Sequence, residues 1–563
     1  MTWTVAHDRE RIIALNGGMA ADTDVDEGHA VEIQVETERT YEVPDGWELP
    51  SLTDIGGVRR TDDGSRFTQT ATYLDTPRLT LLRARHTLRR RTGGVDAGWH
   101  LKTPEEKDSR REHHAPLGTS AARVPNDLRA IVAELIKNAP LLPVAVLATD
   151  RTRWLLHDEA DQVVAEVVLD QVEAVVMASV DARGEEHVLR WREVELELGD
   201  AGTSEDFEAL SAHLEGSGLV RSDHPSKLAR ALAAPLARLA EADAEDDDSK
   251  GDEDDARQKV ALGRAVLDYL GAQLGMLQAR DPDVRVDEHD AVHKTRVATR
   301  RTRSALKTFR NVFDREVTDP LRDELGWFAG VLGDARDAEV LRERFTKRLD
   351  ELEEEAGGRG NPLQKRHVAA ARRRLLGMID ANHEAGLANS VAALDSDRYT
   401  RILESFTDLL LHPPFKPGGK GDGRSARPAD RAFPKYLRKA ASRVTREAAN
   451  ARVAEPVERE VLLHDVRKDA KAARYAGEAS APVLGFKSAA TPAWEKVQDA
   501  LGDIQDGVVA RDLIARAAAA ARKEGEDTYV YGVLTERERG DSARIEASTD
   551  QLLDEALSGA FAK

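Results

Sequence analysis

Charged side chains recur with a period of two between residues 32 and 197, sorted by sign. Successive side chains of a strand point to opposite faces. In Val31–Val43, Glu32, Gln34, Glu36, Glu38 and Thr40 therefore share one face, and Ile33, Val35 and Tyr41 the other. Arg89 and Arg91 are in phase, as are His100 with Lys102 and Arg151 with Arg153. Glu166 and Asp170 form an acidic pair, and Glu193, Glu195 and Glu197 an acidic triplet. Lys227 opens a helical stretch in Pro225-Ser-Lys-Leu-Ala-Arg230. One such face is also what an antiparallel strand with a solvated side presents. Six of them, segregated by sign, point to an enclosed space in which charges face one another, water, a metal ion or an anionic ligand, because an unpaired buried charge is very costly. The chemistry this serves is recognition of a polyanion through a metal bridge. Arg and Lys neutralise phosphate oxygens, while clustered carboxylates hold hard cations such as Mg²⁺ or Mn²⁺. Phosphoryl transfer asks a protein mainly for positioning and charge stabilisation.

A second pattern lies downstream. His293-Lys-Thr-Arg296-Val-Ala-Thr-Arg300 recurs as His464-Asp-Val-Arg467-Lys-Asp-Ala-Lys471, followed by Arg474-Tyr475. Leu332-Gly-Asp-Ala-Arg-Asp337 recurs as Leu501-Gly-Asp-Ile-Gln-Asp506. The offsets of 171 and 169 residues mark a duplicated helical bundle, not a solenoid repeat. A His with bases three and seven residues on puts all three on one helix face. Residues 293–310 hold seven Lys or Arg (Lys294, Arg296, Arg300, Arg301, Arg303, Lys307, Arg310) and no acid, a helix that repels itself unless an anion sits on it. Arg431, Lys435, Arg438, Lys439 and Arg443 form another basic face.

The elements that must position these groups change character along the chain. Period-two alternation at 31–43, 65–73, 87–92, 98–102, 144–156, 162–170, 172–180 and 187–198 predicts about eight antiparallel strands, with helices near 125–137 and 204–216. Charged inner faces on many short strands suggest closure into a barrel. From residue 256 the period is helical, with breaks expected at Gly357–Pro362, at Pro413–Pro428 and near Gly540. Between the halves, ten of the sixteen residues of Ala240–Asp255 are acids, which predicts an extended, self-repelling linker. The expected class is α+β multidomain: an N-terminal eight-stranded antiparallel β-tunnel with flanking helices, then an all-α duplicated bundle. The expected boundaries are a lead-in at 1–29, the tunnel at 30–238, the linker at 239–256 and the helical domain at 257–560, its repeats at about 257–412 and 430–560.

The totals agree. At 563 residues the chain exceeds one core, and with no Cys it holds no disulfide or thiolate metal site. Residues 256–563 carry 53 Lys and Arg against 50 Asp and Glu, a net of +3; the remaining 29 and 52 leave residues 1–255 at −23. Asp22, Asp24 and Asp26 do not make an EF-hand, since Glu27 and Ile33 stand where Gly and Glu are needed. No apolar run is long enough to span a membrane, and Asp8, Arg9, Glu10 and Arg11 are unlike a signal peptide. Cytoplasmic residence is expected. Aromatics are 5% of the chain and not interleaved with the bases, which disfavours nucleic acid as the partner.

The motifs Glu36-Thr-Glu38-Arg-Thr40, Tyr73-Leu-Asp-Thr-Pro77, Leu88-Arg-Arg-Arg91, Trp99-His-Leu-Lys102, Arg151-Thr-Arg153, Glu193-Val-Glu-Leu-Glu197 and Ser226-Lys227 resemble the CYTH domain of triphosphate tunnel metalloenzymes over about 30–235. That resemblance implies an eight-stranded tunnel that binds triphosphate with Mg²⁺ or Mn²⁺, with hydrolysis of inorganic or organic triphosphates or cyclisation of ATP as the family's activities. It assigns Glu36, Glu38 and Lys102 as catalytic residues. It assigns Arg89, Arg91, Lys102, Arg151, Arg153 and Lys227 to phosphate, and Glu36, Glu38, Glu166, Asp170, Glu195 and Glu197 to metal. Thr40 stands where the family's Glu-x-Glu-x-Lys signature has Lys, and a hydroxyl brings no charge; Arg39 points to the other face. The helical half resembles the CHAD domain over about 257–560. That implies two pseudo-symmetric bundles whose basic faces bind inorganic polyphosphate, through His293, Arg296, Arg300, Arg303, Lys307, His464, Arg467, Lys468, Lys471, Arg474 and Tyr475, joined by Lys435 and Arg438 of the other basic face. Asp465 and Asp469 depart from this pattern, with a helical phase that points them away from the basic stripe. The expected function is that of a polyphosphate-binding protein with a metal-dependent triphosphatase or short-chain polyphosphatase tunnel. The alternative is a non-catalytic binding protein of polyphosphate granules, its tunnel weakened by Thr40.

Overall fold

In a computed structural model of the chain, the residues described are 32–105, 109–178, 180, 186–248, 260–357, 363–416, 423–485 and 490–559. The expected lead-in, the end of the acidic run and parts of two expected breaks lie outside them. Ten strands occur among the described residues: β1 (Glu32–Glu42), β2 (Arg60–Thr61), β3 (Ser65–Asp75), β4 (Thr87–Gly93), β5 (Gly98–Pro104), β6 (Ser109–Ala115), β7 (Leu142–His157), β8 (Val163–Val176), β9 (His187–Leu198) and β10 (Val220–Arg221). They pair antiparallel in the order β1-β6-β5-β4-β3-β7-β8-β9. β9 returns to β1 through Glu38↔Glu197 and Thr40↔Glu195, closing an eight-stranded barrel. β2 extends β7 and β10 extends β1.

The barrel's apolar core lies outside its wall. Tyr41, Val167, Val194 and Leu196 pack under Phe207, Leu210 and Leu214 of helix α3 (Ser204–Gly216). Leu74, Leu88 and Leu101 pack with Leu81 of α1 (Thr80–Arg83) and under Leu128, Val132 and Ile136 of α2 (Asn126–Ile136). A third cluster takes Leu228 of α4 (Lys227–Ala231) together with Leu236 and Leu239 of α5 (Ala233–Asp248). Alternation then turns the opposite, charged set of side chains inward.

The helical half comprises α6 (Leu262–Arg285), α7 (Ala291–Thr308), α8 (Arg315–Glu355), α9 (Lys365–Asp395), α10 (Asp397–Leu411), α11 (Ala429–Val453), α12 (Pro456–Leu484), α13 (Ala490–Lys523) and α14 (Tyr529–Gly559). The repeated motifs put α12 in the place of α7 and α13 in the place of α8. The repeats do not form two separate bundles. Phe345 and Leu349 of α8 and Leu375 and Ile379 of α9 share a core with Leu513 and Ile514 of α13 and Leu534 of α14, so the two long hairpins interlock.

Several expectations need correction. The strands anticipated at 162–170 and 172–180 are one strand, β8, because β7 pairs with it without a break from Ala145↔Val176 to Leu155↔Glu166. β6 was not anticipated, having no apolar residue before Ala115. The acidic run is helical through Asp248, not extended. Leu236 and Leu239 anchor that helix on the barrel, and Arg78 and Arg83 both pair with Asp243. Gly540 lies inside α14; the turn is at Gly525, whose φ of +76° suits glycine.

The halves are also packed together. Ala122 and Leu142 of the barrel side join the core built on α6. Gln278 of α6 accepts a hydrogen bond from Leu141 N–H (3.1 Å) and donates one to its carbonyl (3.3 Å). Gly275 makes this approach possible, since a Cβ there would strike the Asn138 carbonyl oxygen and lie 2.8 Å from Pro140 N. Gly275→Ala is therefore expected to destabilise the chain by about 1–3 kcal/mol, read as a lower Tm; an unchanged melting curve would show that the joint is not tight.

Candidate functional site

Each of the six charged faces lies on the barrel's inner wall, and register places them opposite one another. Lys102 of β5 sits between two acids of β1: its Nζ pairs with Glu36 and lies 3.3 Å from Glu38 Oε2. Arg110 of β6 approaches Glu38 at 3.7 Å. Arg89 of β4 is 3.4 Å from both the Tyr73 hydroxyl and Glu112. Arg151 of β7 donates to both carboxylate oxygens of Asp170 (2.9 and 2.7 Å) and to Glu195 (2.9 Å). Lys227, at the start of α4, reaches Asp170 (3.0 Å), Glu193 (2.7 Å) and Glu195 (2.5 Å). Arg153 pairs with Glu166 at 2.7 Å. Arg91, near one end of the row, pairs with Asp96 at 2.8 Å.

Enclosure sets the electrostatics. Burial works against the charge on Lys102 and Lys227, but the acids around each more than offset it and hold both pKa values above the ordinary lysine range. Glu195 is likewise buried, yet Lys227 and Arg151 keep it below the usual carboxylate range. Burial raises Glu36 in spite of Lys102, with Glu112 and Glu197 adding to the rise. Glu197 is pushed up to about 7, first by burial and then by Glu166, Glu38 and Glu195, against the opposing pull of Lys102. Asp170, Glu193 and Glu195 share Lys227 and Arg151, three acids to two cations, and burial, then Glu195, raises Glu193 in spite of Lys227. Around Glu36 and Glu197 the opposing cation is Lys102, outweighed by burial and the neighbouring acids. The donors around Glu36 and Glu197 are carboxylate oxygens, the chemistry a hard divalent cation prefers, and an ion bound there would have to displace Lys102 Nζ from between Glu36 and Glu38.

Thr40 lies on the inner row directly across from Glu195, whose cationic partners are Lys227 and Arg151. Arg39 points outward to Glu208 and Ser211. Glu112, Arg110 and Asp96 escaped the sequence reading. β6 is polar on both faces, so alternation alone gave no signal for Arg110 and Glu112.

In the helical half the two repeats face each other. Burial comes first in lowering Arg300, with Arg296 and Arg467 adding to it, and the Tyr475 hydroxyl opposes. Lys471 is pushed down to about 8, first by burial and then by Arg467, Arg300 and Arg296. Arg296, Arg300, Arg467 and Lys471 thus crowd one groove between α7 and α12. The repeated Leu-Gly-Asp-x2-Asp motif backs it. A Cβ on Gly333 would lie 3.8 Å from the Arg296 guanidinium, and one on Gly502 would lie 3.3 Å from that of Arg467. Asp337 pairs with Arg296 at 3.0 Å. Arg303 lies along the same row over Gly326, and the Nε atoms of Arg300, Arg303 and Arg467 are buried without a hydrogen-bond partner.

Other members of the expected face are placed elsewhere. His293 is half-buried at the head of its row, and burial, then Arg336, lower its pKa. His464 is exposed. Lys468 pairs with Asp465 (3.3 Å), and Arg474 with Glu478 (3.0 Å). Lys435 and Arg438 are exposed on α11, while their neighbours Lys439 and Arg443 line a small pocket with Lys307, Arg310 and Asp469. Asp469 thus faces bases, contrary to the phase expected of it. A larger cavity of about 490 Å³ lies between α8, α13 and α14, lined by Arg344, Lys347, Arg348 and Arg544 together with Asp503 and Asp541, the last pairing with Arg348 and Arg544.

Family models match this arrangement in order: the CYTH domain over residues 53–232 and the CHAD domain over residues 268–515. Two strains of Mycobacterium tuberculosis carry relatives, Uncharacterized protein Rv2226 and Uncharacterized protein MT2285. Each is 35% identical over 517 residues, covering 90% of this chain and 93% of the relative. The chain belongs to the CYTH–CHAD family. Solved structures similar to parts of this CYTH–CHAD chain include PptA from Streptomyces chartreusis, with 21% identity, 52% of this chain, 99% of that one and a TM-score of 0.42. The CHAD domain from the plant Ricinus communis is similar at 24% identity, over 54% of this chain and 93% of that one, with a TM-score of 0.40. No helix among the described residues is long and apolar enough to cross a membrane.

The raised pKa of Glu197 has a consequence for ion binding. In the ion-free chain the protonated carboxyl favours the fold, and that contribution is lost as pH rises through about 7. A divalent cation binds the deprotonated form. Its affinity is therefore expected to rise from pH 6 to pH 8 with proton release, as calorimetry in buffers of different ionisation enthalpy would read. Equal affinity at both pH values would contradict the shift.

Proposed function

We propose that the tunnel takes up tripolyphosphate, or the end of a short polyphosphate chain, together with Mg²⁺ or Mn²⁺ and hydrolyses it, while the helical domain holds inorganic polyphosphate. The observation that carries this reading is the convergence of Arg89, Arg91, Lys102, Arg151, Arg153 and Lys227 on one enclosed wall facing Glu36, Glu38 and Glu197. CYTH domains are metal-dependent in general. In this chain Glu36, Glu38 and Glu197 would hold the ion, with Glu166 beside them. The ion supplies charge for the phosphate oxygens and a more acidic water. Arg89, Arg151 and Arg153 bind and orient the triphosphate, and their fixed guanidinium groups stabilise the charge that develops on the leaving phosphate. Asp170 and Glu193 act through others: they hold Lys227 and Arg151 in place.

The helical groove fits a polymer. Its guanidinium and ammonium groups come from both repeats and repel one another, and a chain with one negative charge per phosphate would relieve that repulsion. Cytoplasmic residence and association with polyphosphate granules follow from this reading. A second reading, a binding protein without turnover, is favoured by one observation. Thr40 places a neutral hydroxyl on the inner row where the family's signature has a cation.

Phosphate release from tripolyphosphate with Mg²⁺ or Mn²⁺ tests the first reading, and no metal-dependent release would retire it in favour of the second. Arg153→Ala is expected to lower kcat by about 10²–10³-fold, the usual loss for one oxyanion donor. Thr40→Lys is expected to raise turnover; an unchanged rate would mean that Lys227 or Arg151 already supplies the missing charge. For the helical domain, log affinity for polyphosphate is expected to fall linearly with log salt. The triple change Arg300→Ala, Arg467→Ala and Lys471→Ala is expected to reduce that slope by about 2–3. Affinity for single-stranded RNA equal to that for polyphosphate would contradict the assignment.

A further inference from the structure

At the Arg91 end of the barrel the inner wall changes composition. Asp96 lies on the loop between β4 and β5, His100 on β5 and His114 on β6. One ligand atom from each comes within 4.8 Å of the others. Elsewhere the wall offers cations carboxylate oxygens only; here it offers two imidazole nitrogens and one carboxylate.

Three features mark this as more than a hydrogen-bonded loop. First, Glu112 Oε1 lies 3.2 Å from His100 Nδ1. In the ion-free chain the two are close but not aligned, since Nδ1 is buried without a hydrogen-bond partner. A turn of the ring onto Glu112 would fix the tautomer and free the other nitrogen as a ligand, the arrangement usual behind metal-binding histidines. Second, that other nitrogen, Nε2 of the fully buried His100, faces oxygens of Asp96: its carbonyl at 3.3 Å and its carboxylate at 3.6 Å. In the ion-free chain Nε2 hydrogen-bonds to that carbonyl; with the proton on the Glu112 side instead, Nε2 would present its lone pair, and a cation between it and the Asp96 oxygens would replace the hydrogen bond. Third, His114 Nε2 is a buried atom without a hydrogen-bond partner, 3.7 Å from Asp96 Oδ1. It reaches this position because residue 98 is glycine: a Cβ there would collide with Nε2.

We infer that Asp96, His100 and His114 form a second metal site of the tunnel, separate from the carboxylate set and selective for a borderline divalent ion such as Zn²⁺ or Co²⁺ over Mg²⁺. Imidazole nitrogen favours such ions, whereas Mg²⁺ prefers oxygen and water. With metal–nitrogen bonds of about 2.0–2.1 Å, the donors need only draw together by about 1 Å. Asp96, on an exposed hairpin loop, is the ligand free to move. Its carboxylate is also the partner of Arg91. An ion that takes Asp96 as a ligand shares or removes that partner, leaving the guanidinium available to an anion in the tunnel.

The test uses the full chain, stripped by a chelator and titrated with Co²⁺ in excess Mg²⁺, which occupies the oxygen-only set. Visible ligand-field bands are the readout, with Zn²⁺ as competitor. The expected result is one Co²⁺ retained per chain and displaced by Zn²⁺. Affinity is expected to fall at least 10-fold in Asp96→Asn and in His114→Gln, and about 10–100-fold in Glu112→Gln, where His100 loses its orienting carboxylate. Glu36→Gln, which alters the other set, is expected to keep Co²⁺. Asp96 and His114 lie at a part-exposed loop and strand end, so their variants leave the apolar core untouched, as circular dichroism would verify. No Co²⁺ retained against Mg²⁺, equal retention in the Asp96 and His114 variants, or loss in Glu36→Gln would each overturn the assignment.

Discussion

A charge can stay inside a protein only if something of opposite sign faces it, and this constraint organises the barrel. Each inward cation has an acid within reach, from Lys102 between Glu36 and Glu38 to Lys227 among Asp170, Glu193 and Glu195. Removing one partner of a buried pair costs about 3–5 kcal/mol, because the other is left uncompensated. The wall is therefore a coupled set, held by closure of β9 onto β1. At the Lys227–Asp170 end three acids share two cations and burial raises Glu193; at the Glu36–Glu197 end burial and neighbouring acids raise both groups in spite of Lys102. A divalent cation and a polyanion together would satisfy both sides at once, since the ion takes the surplus acids and the phosphates take the arginines.

The same constraint shapes the helical half in the opposite sense. Arg296, Arg300, Arg467 and Lys471 crowd together with acids only at the margin, and burial, then these neighbours, lowers Lys471 to about 8. The glycines of the duplicated Leu-Gly-Asp motif leave space beside the Arg296 and Arg467 guanidinium groups. Duplication thus does structural work: one copy alone would present half of the groove.

The inner wall was legible in the sequence where alternation was clean. Glu36, Glu38, Arg89, Arg91, Lys102, Arg151 and Arg153 were placed on a common face by period, and out-of-phase apolar residues of their strands, such as Tyr41, Leu88 and Leu101, pack outward. β6 was not legible. Ser-Arg-Arg-Glu-His-His carries polar groups on both faces, so nothing distinguished in from out, and Glu112, Arg110 and His114 were lost with it. The acidic run misled for a related reason. Its charge suggested extension, but Leu236 and Leu239 just upstream, and the Arg78 and Arg83 pairing to Asp243, sustain a helix through it. The domain joint could not be read at all, since Gly275 and Gln278 acquire meaning only once Asn138, Pro140 and Leu141 lie against them. In the helical half, period located the His293 and His464 rows but not the interlocking of the long hairpins, which depends on which core each half of α8 enters.

The central claim is that the barrel interior is built for condensed phosphate with a divalent ion. Crystals soaked with Mn²⁺ and a slowly hydrolysed tripolyphosphate analogue test it most directly, through the anomalous difference map. The account predicts a manganese peak beside Glu36, Glu38 and Glu197, with phosphate density among Arg89, Arg151 and Arg153. Density confined to the outer surface, or a barrel interior unchanged by the soak, would contradict it.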